Sequence, residues 1–493
     1  MVMLAQCLLS IVSLLFIHCT TCNTVPESAC EVYTKPGNIT LAGIFPFRES
    51  LEEYCNPGTT FWGLQLSEAM IWAIEEVNNH QDLLPDVTIG YEIRDDCRTE
   101  DSALWAALSF FTDTCHMYQN KTDANIVGII GGAFSSTSIF ISKVANIYKI
   151  PFISFSATSD ELSDKKRFPY FLRTLPPNRY QVGVFIDIIL KYNWRYIALI
   201  YSADTYGIHG ATQIKSLAEE YDICLALSAA VQPHAPQNEI DEVIEKLKRV
   251  PKAKVVIVFA LDDIADGLLS TIYRRNLNWN ITWIASEGWG YETETLEWAS
   301  VLVGSFFIKI SRPHAPDFEQ YFSSLDPTFR AGSPWYNEYW EDWQITQECR
   351  DITLCPYDTA ASGGPVIDAV NAFAHALHNM FSECRDGKCL SPEQITGASL
   401  LQYLHRVRFN ASAGPMQFDE FGDTLGTFII QNLQRDDIGF KVVNAGYWDP
   451  RDIDSPLVIY SEKIRFNDNS KSPPYSLCGD RCQVDFGLTE NTL

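Results

Sequence analysis

Two short turns carry the hydroxyl groups with which this chain can hold a ligand. Gly131-Gly132-Ala133-Phe134-Ser135-Ser136-Thr137-Ser138 follows the apolar run Ile126 to Ile130, and Phe155-Ser156-Ala157-Thr158-Ser159 follows Pro151 to Ser154. Between them Ile139, Val144, Ile147 and Ile150 recur at roughly helical spacing, so the segment reads strand, turn, helix, strand, turn. A turn that opens a helix beyond a strand end presents unpaired backbone N–H groups and the positive end of the helix dipole. With Ser and Thr hydroxyls added, this arrangement suits a small anion such as a carboxylate. It is chemistry for holding a group, not for breaking bonds.

Bond-breaking chemistry has no matching pattern. The sequence lacks a Gly-x-Ser-x-Gly elbow, a Gly-x-Gly-x-x-Gly turn, a phosphate loop and a His-Glu-x-x-His helix. His375 and His378 stand three apart on a helix-like run without an apparent third ligand, and read as packing or surface residues. Asp95-Asp96 and Asp262-Asp263 read as loop acids rather than a tuned pair. No enzyme, metal or cofactor is expected.

The elements that must position the turns alternate along the chain. Helical periodicity marks Phe61 to Asn79, Tyr180 to Tyr192 and Asn238 to Val250; β-rich runs cover Tyr196 to Tyr201, Val255 to Phe259 and Ile281 to Ala285. Such alternation predicts parallel sheets covered by helices on both faces, with ligands bound beyond the carboxyl ends of the strands. The chain is expected to cross between two lobes at Leu172 to Asn178, around Pro176-Pro177. It would return near Ser311-Arg312-Pro313 and cross again near Tyr447 to Asp454. These points give one lobe from 32–174 plus 313–447, a second from 175–312 plus 448–470, and a cleft between them.

Composition narrows the partners. A formal charge of −25 on 493 residues argues against nucleic acid, whose phosphates need clustered Lys and Arg. The apolar run Leu8 to Ile17 and the polar stretch after it make residues 1–23 a secretory signal peptide in outline, and no later stretch has the ~20 apolar residues of a membrane span. Fourteen cysteines fit export, and Cys349/Cys355, Cys384/Cys389 and Cys478/Cys482 are spaced for small disulfide loops. Eleven cysteines remain from Cys30 onward, an odd number, so one thiol is free or pairs outside the chain. Asn38, Asn120, Asn280 and Asn410 head glycosylation sequons. The expected location is extracellular.

Further runs resemble a known family, the extracellular ligand-binding domain of class C G-protein-coupled receptors. They are Ser156 to Lys165, Arg167-Phe168-Pro169, Leu172-Arg173-Thr174, Ala73 to Asn78, Asp204 to Gly207, Asp222-Ile223-Cys224, Ser286 to Trp289 and Met416 to Asp419. In family order they cover about residues 32 to 482, and look most like type 1 taste receptors, with calcium-sensing and then metabotropic glutamate receptors more distant. The resemblance implies a periplasmic-binding-protein-like (type I) bilobed α/β fold: two doubly wound parallel sheets that close on a small ligand. By the same resemblance Ser135, Ser156 and Thr158 hold an amino acid's α-carboxylate, while Tyr206 and Glu287 lie near its α-ammonium.

Asn178, Leu66 and Ser362 fall where glutamate receptors carry an aspartate, an arginine and a lysine. The implied ligand is a broad class of L-amino acids rather than glutamate, with Trp62 and Leu66 favouring apolar side chains and Glu292 a cationic one. The resemblance also pairs Cys55 with Cys97, Cys349 with Cys355 and Cys384 with Cys389. It places Cys115 in a bond between dimer partners, joins Cys224 to a cysteine-rich module, and makes residues 471–493 the start of that module. It implies a heterodimer with a related receptor subunit through lobe 1. The altered Asn178, Leu66 and Ser362 also fit an alternative, a dimerising subunit whose cleft binds nothing.

Overall fold

The computed structural model describes residues 31–477 apart from 52–53, 56–57, 81, 113–123, 278, 290–296, 312–314, 326–331, 340–362, 384–389, 412–413, 438 and 468–469. The signal-peptide segment, Cys115, Asn120, Glu292, Ser362 and the pairs Cys349/Cys355, Cys384/Cys389 and Cys478/Cys482 lie outside the described residues.

Buried apolar runs in the first third of the chain make one sheet. Its strands are β1 (Tyr33–Lys35), β2 (Ile39–Phe45), β3 (Ile89–Asp95), β4 (Ile126–Gly131), β5 (Phe152–Ser154) and β6 (Phe171–Arg173), in the order β1-β3-β2-β4-β5-β6. All neighbours are parallel except β1 and β3. Successive residues point to opposite faces, so Leu41 and Ile130 enter one core while Ala42 and Ile129 enter the other. The first core is covered by α1 (Phe61–Asn79) packed on Gly363–Ser382, the second by α2 (Glu100–Ser109) packed on α3 (Ser135–Tyr148). Thr60 and Thr99 start α1 and α2 as caps, each hydroxyl accepting a backbone N–H three residues on, from Gly63 and Ser102.

A second sheet follows the same logic. Strands β7 (Tyr196–Ser202), β8 (Cys224–Val231), β9 (Val255–Phe259), β10 (Thr282–Ala285) and β11 (Phe306–Ile310) run parallel in the order β8-β7-β9-β10-β11. Helices α4 (Asn178–Lys191) and α5 (Thr205–Glu220) pack together, as do Gln237–Lys248 and Asp262–Arg274. Ile197 and Ile257 enter one core while Ala198 and Val256 enter the other. The fold is therefore mixed α/β with two parallel sheets, of the bilobed periplasmic-binding-protein-like kind.

One boundary differs from expectation. β12 (Phe428–Arg435), β13 (Phe440–Trp448) and β14 (Leu457–Ile459) extend the second sheet antiparallel beyond β11, because Phe306 to Ile310 pairs with Asn432 to Phe428. The last crossing thus lies before Phe428, not near 447. Asp449-Pro450 is a turn between two strands of one sheet rather than a linker. Earlier, the chain has already returned to the first core by Pro316–Ser323, which places Phe318 and Phe322 there.

Near the end of the described chain Trp194 donates through Nε1 to the Pro474 carbonyl, and Arg195 N–H to that of Ser476. Ser476 is buried, and its hydroxyl donates to the Tyr196 carbonyl at 2.5 Å. This part of the expected cysteine-rich start is pinned to the second lobe.

Cys55 and Cys97 form a disulfide, and Cys224 is disulfide-bonded. Asn38, Asn280 and Asn410 are exposed. His375 stacks on Phe409 at 4.8 Å, and His378 Nδ1 accepts the Leu84 N–H, so both make packing contacts. Among the described residues no helix is long and apolar enough to cross a membrane.

Candidate functional site

The two hydroxyl-rich turns stand side by side because β4 and β5 are parallel neighbours. Gly132 joins them. Its φ of +66° is left-handed, and a Cβ there would meet Ser138 Oγ at 2.2 Å, so only glycine fits. The Gly132 carbonyl accepts from Ser138 Oγ at 3.0 Å and from Ser154 Oγ at 2.9 Å. Ser154 Oγ in turn accepts the Ala157 N–H at 2.9 Å. Ser135 opens α3, and its hydroxyl accepts the Ser159 N–H at 3.2 Å. Ser135 therefore ties the second turn to the first, and its own proton remains free to be donated.

Behind the second turn lies Arg173, with no exposed surface. One guanidinium nitrogen donates to the carbonyls of Ala157 (3.1 Å) and Ser159 (2.9 Å), bracketing Thr158. Nε reaches Asp423 at 2.6 Å and Nη2 the Ser163 hydroxyl at 2.5 Å. Burial disfavours the charged Asp423 carboxylate, but the adjacent guanidinium outweighs it and holds the group below the usual aspartate range. Arg179, at the start of α4, adds a second tie, 3.0 Å from both Asp160 and Asp423. Each carboxylate and guanidinium of this cluster is thus held in place, and the turn that carries Thr158 has a fixed shape.

The second lobe answers from α4, α5 and the turn after β10. Thr158 Oγ1 donates to Glu287 Oε1 at 3.3 Å across the cleft. The Glu287 N–H donates to Gln181 Oε1 at 3.2 Å, and the Asn178 N–H to the Thr158 carbonyl at 2.7 Å. Asn178 and Gln181 are each 1% exposed. Among the described residues, neither amide atom of Asn178 nor Gln181 Nε2 meets a hydrogen-bond partner. Buried amide atoms without partners are uncommon, and here they border a place where the lobes meet through a hydroxyl and a carboxylate.

Tyr206, the second residue of α5, is buried and stacks on Phe259 at 4.6 Å. Burial, reinforced by the Glu287 charge, raises its phenol well above the ordinary value, so the ring stays neutral. Asp204 sets its position by capping α5 on the Gly207 N–H at 2.7 Å.

The structure brings together Ser135, Ser156, Thr158, Asn178, Tyr206 and Glu287 from the expected set; Ser156 and Glu287 keep partial exposure. Trp62 is also partly exposed, its ring edge-on to Phe134 at 5.9 Å. Leu66 does not join them. It is wholly buried in the first-lobe core, on the inner face of α1, and offers no surface to a ligand side chain. Gln181 and Arg173 were not picked out from the sequence. The only signal for Gln181 is its place three residues after Asn178, one turn along the same helix face.

Two hydroxyl-rich turns on one lobe thus face a carboxylate and a neutral tyrosine on the other. Residues 65–436 match the family described as the receptor family ligand binding region, and the chain belongs to that family. It is similar to the metabotropic glutamate receptor of Drosophila melanogaster, 29% identical over 544 residues, covering 94% of this chain and 55% of the relative. Metabotropic glutamate receptor 6 of Oryctolagus cuniculus is 30% identical over 504 residues, covering 93% and 57%. Metabotropic glutamate receptor 4 of Macaca fascicularis is 29% identical over 486 residues, covering 91% and 52%. The chain spans about half the length of the curated relatives it matches. It is a ligand-binding region of the class C receptor type.

Proposed function

We propose that this chain is the extracellular amino-acid-binding domain of a class C G-protein-coupled receptor of the taste-receptor kind. Ser135, Ser156 and Thr158, with the N-terminus of α3, receive the ligand's α-carboxylate; Glu287 and Tyr206, with Asn178, receive its α-ammonium. The observation that carries this reading is the meeting of Thr158 and Glu287 beside buried amide atoms, Asn178 Nδ2 and Oδ1 and Gln181 Nε2, that have no partner among the described residues. Contacts to both lobes exist only when the lobes meet, so a ligand that makes them shifts the population toward closure.

The side-chain preference is for neutral or basic amino acids over glutamate. Leu66 no longer supports that preference, but the charge pattern does. Arg173, Arg179, Arg98 and Arg48 are each committed to carboxylates of the protein, respectively Asp423, Asp160, Glu49 and Glu338. A second ligand carboxylate would therefore have to displace a pair already made, and an uncompensated buried charge is costly. A related subunit is the proposed partner through the first lobe. There Ile147 is 71% exposed at the end of α3, beside Tyr148 stacked on Phe111. The proposed location is the cell surface, as part of a longer membrane receptor.

The test is thermal unfolding against a panel of single L-amino acids. A ligand at 100 times its dissociation constant adds about 2.7 kcal/mol to stability. Stabilisation by alanine, glutamine and arginine, with glutamate weaker, is the expected result. Glutamate as the strongest ligand would overturn the proposed preference. A folded sample that responds to none of them would favour the non-binding partner subunit instead.

A further inference from the structure

The lobes also meet through a histidine–glutamate pair, apart from the proposed amino-acid contacts. His209 lies on α5 of the second lobe, one turn beyond Tyr206, and its Nε2 stands 2.9 Å from Glu161 Oε2. Glu161 belongs to the short 3-10 turn Asp160–Ser163 of the first lobe, directly after the carboxylate-binding turn. The other oxygen of Glu161 lies 2.5 Å from Arg167 Nη1. Helix α3 packs against α5 in the same region, so the contact spans the cleft.

We infer that His209 is a proton-gated latch on lobe closure, giving ligand affinity a pH dependence on the side of acid. The inference rests on the two-lobe trap proposed above. With a neutral imidazole the pair is an ordinary hydrogen bond; with a protonated one it becomes a charge-assisted ion pair. It forms only where the lobes meet, so acid favours the closed form.

Arg167 shares the Glu161 carboxylate, while charged groups on the elements packed against α5 are engaged elsewhere. On α3, Lys143 lies over the Phe140 ring; on α4, Arg179 is held by Asp160 and Asp423, and Asp187 accepts from Trp448 Nε1. On β7, Tyr201 accepts from Lys215 of α5 itself, and at the start of α5 Asp204 is spent on its cap. β8 contributes the disulfide-bonded Cys224, and β9 has no titratable side chain. His209 and Glu161 are 40% and 15% exposed, a partly solvated pair, so a change of roughly threefold is the appropriate scale.

The experiment measures L-alanine affinity by calorimetry at pH 5.5 and 7.5 for the parent, His209→Gln and Glu161→Gln. In parallel, small-angle scattering without amino acid follows closure in the same three proteins. Binding about threefold tighter at pH 5.5 in the parent, with both variants flat, is expected, together with a more compact parent at pH 5.5. An equal pH slope in parent and His209→Gln, by either readout, overturns the latch. If no amino acid binds but the parent alone compacts at pH 5.5, the latch stands and the proposed ligand class fails.

Discussion

Glu287→Ala is expected to weaken L-amino-acid binding about 30- to 1,000-fold while leaving the unfolding temperature of the free protein nearly unchanged. In the proposed site the carboxylate meets the ligand's ammonium from the second lobe, next to Thr158 and Tyr206. Removing one member of a buried, hydrogen-bonded charge pair costs about 2–4 kcal/mol, which converts to that range of dissociation constants. Glu287 is itself only partly buried, and its backbone bond to Gln181 survives the substitution, so folding should not depend on it. Thr158→Ala removes a neutral hydroxyl and should cost nearer 1 kcal/mol, about fivefold. Calorimetric titration separates the two; equal, small losses in both variants would place the ammonium elsewhere.

Arg173→Ala is expected to act on the fold instead, lowering unfolding stability by about 3–5 kcal/mol. It would strip the Ala157 and Ser159 carbonyls of their donor and remove the shorter of the two ion pairs of the buried Asp423. Urea denaturation across pH separates this from simple loss of packing. The folded-state pKa of Asp423 is depressed, by Arg173 against the effect of burial. Its contribution is therefore present above the unfolded aspartate value, about 3.9, and lost as the pH falls through the lower folded value. The parent should lose this increment below about pH 4, whereas Asp423→Asn should start less stable and show a flatter acid limb. An Arg173→Ala protein as stable as the parent would show that the turn holds its shape without the cluster.

Much of this arrangement was legible in the sequence. The helix Phe61–Asn79 matches its periodic stretch from end to end, with Thr60 as its cap, and the strand Val255–Phe259 likewise, with Lys254 before it. The two turns were legible because glycine and hydroxyl residues cluster where a strand gives way to a helix. What was not legible depends on contacts distant in sequence. β12 alternates buried and partly exposed residues and looks like any amphipathic strand; only its pairing with Phe306–Ile310 assigns it to the second lobe. Leu66 was placed by matching a pattern along α1, but the side of the helix it occupies faces the core. Arg173 and Gln181 are polar residues whose burial follows from packing of both lobes, and no local spacing announces it.

The central claim is that the cleft recognises the two backbone charges of an amino acid. L-alanine carries little besides those charges, which makes it the most direct probe. Calorimetric titration would compare L-alanine with L-lactate, which lacks the ammonium, and L-alanine methyl ester, which lacks the carboxylate. Binding of alanine with both analogues at least about tenfold weaker is the predicted result. Lactate or the ester binding as tightly as alanine would contradict the assignment of Glu287 or of the Ser135–Thr158 turns, respectively.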